Sequence, residues 1–281
     1  MHADYARRLD ALPVAVLAHR VPTRFGDAQV LECGPPDAPP LLALHGLNIS
    51  QPRNLSLIAS LAAHFRILAP DTPGQTGMSA PARLSWGRCD YGAWVHDVLD
   101  GLRIRRCRAQ GMSFGAAMLL QAAAMRPDRF EQAALVVPAG LTPVDMAAAL
   151  LQVALPASLH RLIPSPWLLR RQLSALSPEP REDLMELFTL TATCMAPQRV
   201  PPPAVPPSAL RGFRAPTLVL AARDDVFFPF VALKARAQAA LPGLVDVEVA
   251  AERHIPMPAE QHRINQRIAS FFTHSPSPAI V

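Results

Sequence analysis

Lysine occurs once, at Lys234, in a chain of 281 residues with 27 basic side chains, so nearly all of its cationic charge is arginine. The arginines stand singly or in pairs, such as Arg7 with Arg8 and Arg170 with Arg171. No basic stripe or aromatic platform accompanies the net charge of +5, which argues against a nucleic-acid-binding surface. The 4 cysteines, Cys33, Cys89, Cys107 and Cys194, form no CxxC pair. Neither a zinc site nor a disulfide framework is expected, and the thiols should be free and wholly or partly buried. No apolar run reaches the roughly 18 residues a membrane span requires; the nearest, residues 111–125, is broken by Ser113 and Gln121. Arg7 and Arg8 precede a short apolar stretch ending at Ala18, but Asp10 and Pro13 interrupt it, so a secretory signal is not expected. These absences point to a cytoplasmic protein with no nucleic-acid or membrane partner, and they leave the oligomeric state open.

Apolar side chains are plentiful. Half of the chain is hydrophobic and only 17% is charged, enough for a large core and too few charges for a disordered chain or a coiled coil. The length suits one large domain or a domain with an insertion. Eight short apolar runs read as strands, over residues 14–18, 29–33, 41–44, 66–69, 105–110, 133–137, 217–221 and 245–249. Helical periodicity falls between them over residues 55–64, 91–102, 114–125, 230–240 and 259–272. Strands alternating with helices predict an α/β sheet, mostly parallel and eight-stranded, with helices on both faces. The alternation stops at Leu141. Residues 141–210 are helical in pattern, rich in proline and without a convincing strand, and they close in the proline cluster at 201–207. The chain therefore divides into a core of residues 1–140 and 211–281 and a helical insertion of residues 141–210. The tail from Ser275 is expected to fray.

Gly111, Met112, Ser113, Phe114 and Gly115 spell GxSxG between a predicted strand and a predicted helix. In that setting a sharp turn lifts the serine hydroxyl out of the sheet, and the flanking glycines avoid collision where the helix folds back on the strand. A serine hydroxyl attacks poorly until an imidazole takes its proton. His254 follows the last predicted strand, at the edge where ligands gather in such sheets. Asp224 and Asp225 follow the strand before it. Asp225 is preferred, because a helix starting near Pro229 leaves it in the loop whereas Asp224 more readily caps or faces solvent. Pro138, Ala139 and Gly140 after the previous strand hold no carboxylate, which leaves only the more distant Asp145 as a rival from that edge. His45 and Gly46 end a buried strand. A backbone amide in that turn, assigned to Leu47, and the amide of Phe114 can bind a developing oxyanion. His45 itself is read as a structural ring bonded within its loop.

With these residues in hand, the chain resembles the α/β-hydrolase superfamily, in its serine-nucleophile branch with a helical cap. Asp71, Pro73, Gly74, Gly77 and Ser79 are similar to that family's DxPGxGxS loop, which is structural there. The chain order Ser113, Asp225, His254 is also the family's, and Pro229 four residues after Asp225 matches its usual spacing. Arg253 departs from it, standing where many relatives carry glycine. The turn His45, Gly46, Leu47, Asn48 lacks the glycine-rich form of many lipases. Serine at the elbow, and no tyrosine in the insertion, argue against dehalogenase and epoxide hydrolase chemistry.

The resemblance implies a hydrolase without cofactor or metal that cleaves a small carboxylic ester through an acyl-serine intermediate, with Ser113, His254 and Asp225 as catalytic triad. The same triad could serve acyl transfer, thioester or carbon–carbon hydrolysis, or survive in a binding protein of this fold. The apolar residues of the insertion, with Leu151 and Trp167 taken as substrate contacts, predict a roof of leucines and one tryptophan with few charged groups, suited to an apolar acyl or alcohol portion.

Overall fold

A computed structural model describes residues 1–196, 198 and 200–274. Short runs such as Leu41, Leu42, Ala43 and Leu44, almost wholly buried, are the signature of strands covered on both faces. Eight strands form: β1 (Val16–Val21), β2 (Ala28–Cys33), β3 (Pro40–Leu44), β4 (Arg66–Pro70), β5 (Cys107–Met112), β6 (Phe130–Val136), β7 (Thr217–Ala222) and β8 (Leu244–Ala251). They make one sheet in the order β1-β2-β4-β3-β5-β6-β7-β8. β2 pairs antiparallel with β1 and β4, and every other pairing is parallel.

The two-residue period of a strand sorts the core into two layers. Leu42, Leu44, Leu135 and Val219 face one layer, packed by α3 (Asp90–Gly101), α4 (Phe114–Met125) and α9 (Phe230–Ala240). Leu41, Ala43, Val136, Leu218 and Leu220 face the other, packed by α1 (His2–Asp10), α2 (Gln51–Ile58) and α10 (Pro258–His274). β1 and β8 are half exposed and carry His19, Arg20, Asp246 and Glu248, charges that blunt the open edges of a sheet.

Between β6 and β7 the chain leaves the sheet. α5 (Met146–Ala148) runs through a π-helical stretch (Ala149–Ala154) into α6 (Leu155–Leu162), followed by α7 (Pro166–Leu176) and α8 (Glu182–Cys194). Leu169, Leu173 and Leu184 give these helices a small core of their own, to which Ile255 of the main body contributes. The excursion closes where the Val205 amide donates to the Gly140 carbonyl at 2.8 Å. No strand forms among the described residues of 141–210, and none of the described helices is long and apolar enough to cross a membrane.

Several expectations shift. β1 starts two residues late and runs on through His19, Arg20 and Val21, whose polar members face water at the sheet edge. The helix expected over residues 55–64 begins at Gln51, with Pro52 in its first turn, and gives way to a 3-10 turn (Ala59–Ala63); proline is at home where the first helical amides lack acceptors. α1 was not foreseen. Cys33 and Cys107 are buried free thiols, pushed up to about 11 and about 12 by burial, but Cys89 and Cys194 are exposed. The tail expected to fray lies outside the described residues.

α1 is tied to the body by Tyr5, whose hydroxyl donates to Asp71 Oδ2 at 2.8 Å. The buried Asp71 carboxyl also accepts from the amides of Gln51 (2.9 Å) and Met78 (3.0 Å). Burial outweighs these donors and raises its pKa from 3.8 to about 6. The folded chain then binds a proton that the unfolded chain releases, so this group's stabilisation is full below about pH 4 and is lost as the pH rises through about 6. Urea unfolding of wild type should therefore show stability falling across that interval, and Asp71→Asn should flatten that part of the curve. An unchanged pH profile in the variant would show that the carboxyl titrates alike in both states.

Candidate active site

β5 ends at Met112 and α4 begins at Phe114, leaving one residue, Ser113, to make the turn at φ 48° and ψ −110°. Side chains seldom hold a positive φ, and it persists only where the surroundings dictate it. Here the Ser113 amide donates to Val136 O at 2.9 Å, while its carbonyl accepts from Ala116 (2.9 Å) and Ala139 (3.2 Å). The flanking glycines leave no room for a side chain. A Cβ on Gly111 would lie 2.6 Å from Ala116 Cα, and one on Gly115 would lie 2.3 Å from the Leu44 carbonyl oxygen.

The loop after β8 brings His254 to this turn, its Nε2 2.9 Å from Ser113 Oγ and its Nδ1 2.8 Å from Asp225 Oδ2. A carboxylate at Nδ1 fixes the tautomer. Nδ1–H donates and Nε2 is left to accept from the serine hydroxyl. Asp225 is itself held, since its Oδ1 accepts from the amides of Phe227 (2.9 Å) and Phe228 (3.2 Å), and its side chain is 1% exposed. Phe227 stands edge-on to the imidazole at 4.8 Å between ring centres. Asp224 is left at the surface, and Asp145 caps α5 through the Ala148 amide at 3.0 Å, so neither joins this line.

The turn after β3 lies alongside. A Cβ on Gly46 would come within 3.9 Å of Ser113 Cβ. His45 is the pillar of this turn: Nδ1–H donates to Gly46 O at 2.8 Å, Nε2 accepts from the Thr72 amide at 3.0 Å, and complete burial lowers its pKa to about 4. The ring is neutral at ordinary pH and has no nitrogen left for chemistry. Asn48 turns at φ 57°, and its amide donates to Gln75 Oε1 at 3.0 Å, fixing the chain just beyond Leu47. The Phe114 ring packs against Trp86 and Tyr91, and its amide is the first N–H of α4, a position with no intrahelical acceptor.

A cavity of about 370 Å³ opens over Ser113 and His254, with Leu47 and Phe227 in its floor and Val153, Ala157, Leu176, Leu187 and Phe188 in its roof. A larger hollow of about 500 Å³ beside β8 and α10 is lined by Arg223, Asp224, Glu248 and Arg267 and holds none of these groups.

Two expectations about the cavity are corrected. Leu151 and Trp167 are not in its wall; they are 64% and 69% exposed. At roughly 100° per residue, Trp167 lies on the side of α7 opposite Gln172 and Leu176, which do line it. Leu151 likewise falls away from Val153 and Ala157. Nor is the wall poor in charge, for Arg8, Arg53, Arg161, Arg181 and Asp183 all reach it. Arg53 pairs with Asp4 at 3.1 Å and Glu186 at 3.4 Å, and Arg181 with Asp183 at 3.0 Å. The partners of Arg53 come from α1 and α8, distant in sequence, so no local pattern announces them. Gln75 and Phe227 were likewise missed; only their nearness to Gly74 and Asp225 hinted at a role.

The sheet order, the elbow and the serine, histidine and aspartate in line define an α/β hydrolase, and the chain belongs to the alpha/beta hydrolase family, whose profile matches residues 41–267. It is 34% identical over 138 residues to the uncharacterized carboxylesterase nap of Bacillus subtilis and 33% identical over 135 residues to carboxylesterase YbfK of the same organism. Each match covers 49% and 48% of this chain, respectively, and 46% of the relative, so the chain spans about half the length of the curated relatives it matches. Over the whole fold it is similar to the crystal structure of naproxen esterase (carboxylesterase NP) from Bacillus subtilis, with a TM-score of 0.81 and 25% identity, covering 97% of this chain and 96% of that one.

The Gly115 contact gives a direct test. Gly115→Ala sets a methyl against a strand carbonyl that cannot swing aside, and overpacking of this kind costs about 1–3 kcal/mol. Thermal unfolding followed by circular dichroism should show a lower midpoint. An unchanged midpoint would mean that α4 and β3 can part freely at this contact.

Proposed function

We propose that the chain is a serine carboxylesterase acting on small esters with an apolar acyl or alcohol portion. The observation that carries this reading is the continuous line from Ser113 Oγ through His254 to Asp225, with contacts of 2.9 and 2.8 Å beneath a roofed cavity. Ser113 attacks the ester carbonyl while Nε2 of His254 takes its proton. Asp225 stabilises the imidazolium and holds its orientation. The amides of Leu47 and Phe114 bind the oxyanion. The tetrahedral intermediate collapses, the departing alcohol takes the proton from Nε2, and the acyl group stays on Ser113. Water, deprotonated by His254, then releases the acid. Every proton is handled by His254, so the sequence of steps needs no metal or cofactor.

The carboxylesterase names of the Bacillus relatives favour an ester over other acyl bonds. Residues 141–210 act as a cap whose inner face, rather than Leu151 and Trp167, selects the substrate. Its apolar residues exclude water from the acyl-enzyme, and a cavity of about 370 Å³ is at the small end of ligand sites. Medium-length or aromatic esters should therefore exceed acetate esters in kcat/KM, and Leu187→Gln, on the inner face, should reorder that ranking; a flat ranking that Leu187→Gln leaves unchanged would remove substrate selection from the cap.

A fluorophosphonate probe with peptide mapping should label Ser113 alone, and Ser113→Ala should abolish labelling and lower ester hydrolysis by several orders of magnitude with the fold intact. Label on any other residue would sink the assignment. Asp225→Asn should cost far more rate than Asp224→Asn, since only the former leaves the imidazole without its acceptor. The opposite ranking would overturn the choice of acid.

A further inference from the structure

The inserted helices have a second apolar face that the cavity does not use. Leu151, Leu155, Leu159, Leu162 and Ile163 recur at helical spacing along one side of the π-helical stretch and α6, each between 40% and 79% exposed. Val153 and Ala157, on the other side, line the cavity. α7, which packs against α6, has an outward face of its own. Trp167, Arg170, Arg171 and Ser174 follow at i, i+3, i+4 and i+7, all exposed, while Leu169, Gln172, Leu173 and Leu176 are buried. Isolated exposed leucines are ordinary, but a contiguous stripe of leucine, isoleucine and tryptophan marks a contact surface.

The charges around the stripe say what contacts it. Residues 146–178 contain no aspartate or glutamate and three arginines, Arg161, Arg170 and Arg171. Arg161 donates to the Met195 carbonyl at 2.8 Å, and none of the three forms an ion pair with a carboxylate among the described residues. A stripe of leucine with tryptophan at its end and arginine beside it, in a segment without a carboxylate, has the composition of an element lying in a lipid interface. There the apolar side sinks below anionic headgroups and the cations stay among them. A second copy of the chain fits less well, because a two-fold contact through this face would set Arg170 and Arg171 against their own counterparts.

We propose that the outer face of α6 and α7 docks the protein onto an anionic lipid surface, with the stripe of Leu151, Leu155, Leu159, Leu162 and Ile163 inserted and Arg170 and Arg171 at the headgroups. The absence of a spanning segment, from which no membrane partner was expected, concerns crossing a bilayer and does not bear on docking at its surface. This inference does not depend on the reaction assigned to Ser113.

The test is co-sedimentation of the full chain with sucrose-loaded vesicles, either of phosphatidylcholine alone or of phosphatidylcholine mixed with phosphatidylglycerol. Binding should be at least tenfold stronger to the phosphatidylglycerol vesicles and weaken in high salt. Leu162→Glu and the double variant Arg170→Glu, Arg171→Glu should each lower it at least tenfold without moving the melting temperature, since these side chains are exposed. Failure of the wild type to bind phosphatidylglycerol vesicles would overturn the proposal. So would binding that both variants retain. Sedimentation showing a dimer that Leu162→Glu dissolves would instead assign the face to a second copy.

Discussion

The contact between the start of α4 and the end of β3 governs the geometry around it. With only hydrogen on Gly115, the helix begins within van der Waals reach of the Leu44 carbonyl, and a turn that tight forces Ser113 to positive φ. The serine is thereby raised above the sheet at the point where the β3 turn, the loop after β7 and the loop after β8 all end. Because β5 is flanked by β3 and β6, the strands on either side deliver Leu47 to one flank of Ser113 and the carboxylate and imidazole loops to the other. The order of strands, more than any local preference, makes three residues that are 112 and 29 positions apart in sequence meet within hydrogen-bond distance.

How much of this is legible from sequence depends on whether the signal is local. The central strands are readable because burial on both faces leaves uninterrupted apolar runs. The elbow is readable because its motif is contiguous in sequence and Gly111 is demanded by Ala116 five residues on, although Gly115 answers to Leu44 on a distant strand. Asp225 and His254 follow from the same logic, each standing just past a readable strand. α1 is not readable: its anchoring residue, Tyr5, finds its partner at Asp71, and a polar helix with a single buried side chain has no periodic stripe to detect. The orientation of the insertion is hidden for a different reason. The π-helical stretch and α6 have apolar residues on both sides, Val153 and Ala157 toward the cavity and leucine toward solvent. Hydrophobicity alone therefore favours the larger residues as lining and selects the wrong face.

The arginines of the cavity wall show electrostatics serving architecture before chemistry. Arg8 and Arg53 share the carboxylates of Asp4 and Glu186, so α1, α2 and α8 meet in one ionic network. Burial lowers the pKa of Arg53, while its carboxylate partners raise it, and Glu186 is held below its usual range by the arginines around it. Such a network costs desolvation that its pairing must offset. Its position gives it a structural role, because it seats α8 on α1, a helix that has little apolar surface to offer.

The insertion is fastened at a second place, and this one reaches the imidazole. The Ile255 amide donates to the Leu176 carbonyl at 2.7 Å, and the Arg253 guanidinium donates to the Ser174 carbonyl. Both donors flank His254 directly, and both acceptors are last-turn carbonyls of α7, which have no partner within their own helix. Arg253, the departure from the glycine of many relatives, thus serves as a rivet. The roof is consequently not an interchangeable module on a fixed base. Any shift in the C-terminal end of α7 is transmitted through one backbone and one side-chain hydrogen bond to the residue opposite Ser113. Grafting a different roof onto this core would succeed only if the new helix presented two free carbonyls at the same spot, a requirement that ties the divergence of the insertion to that of a loop some eighty residues away in sequence.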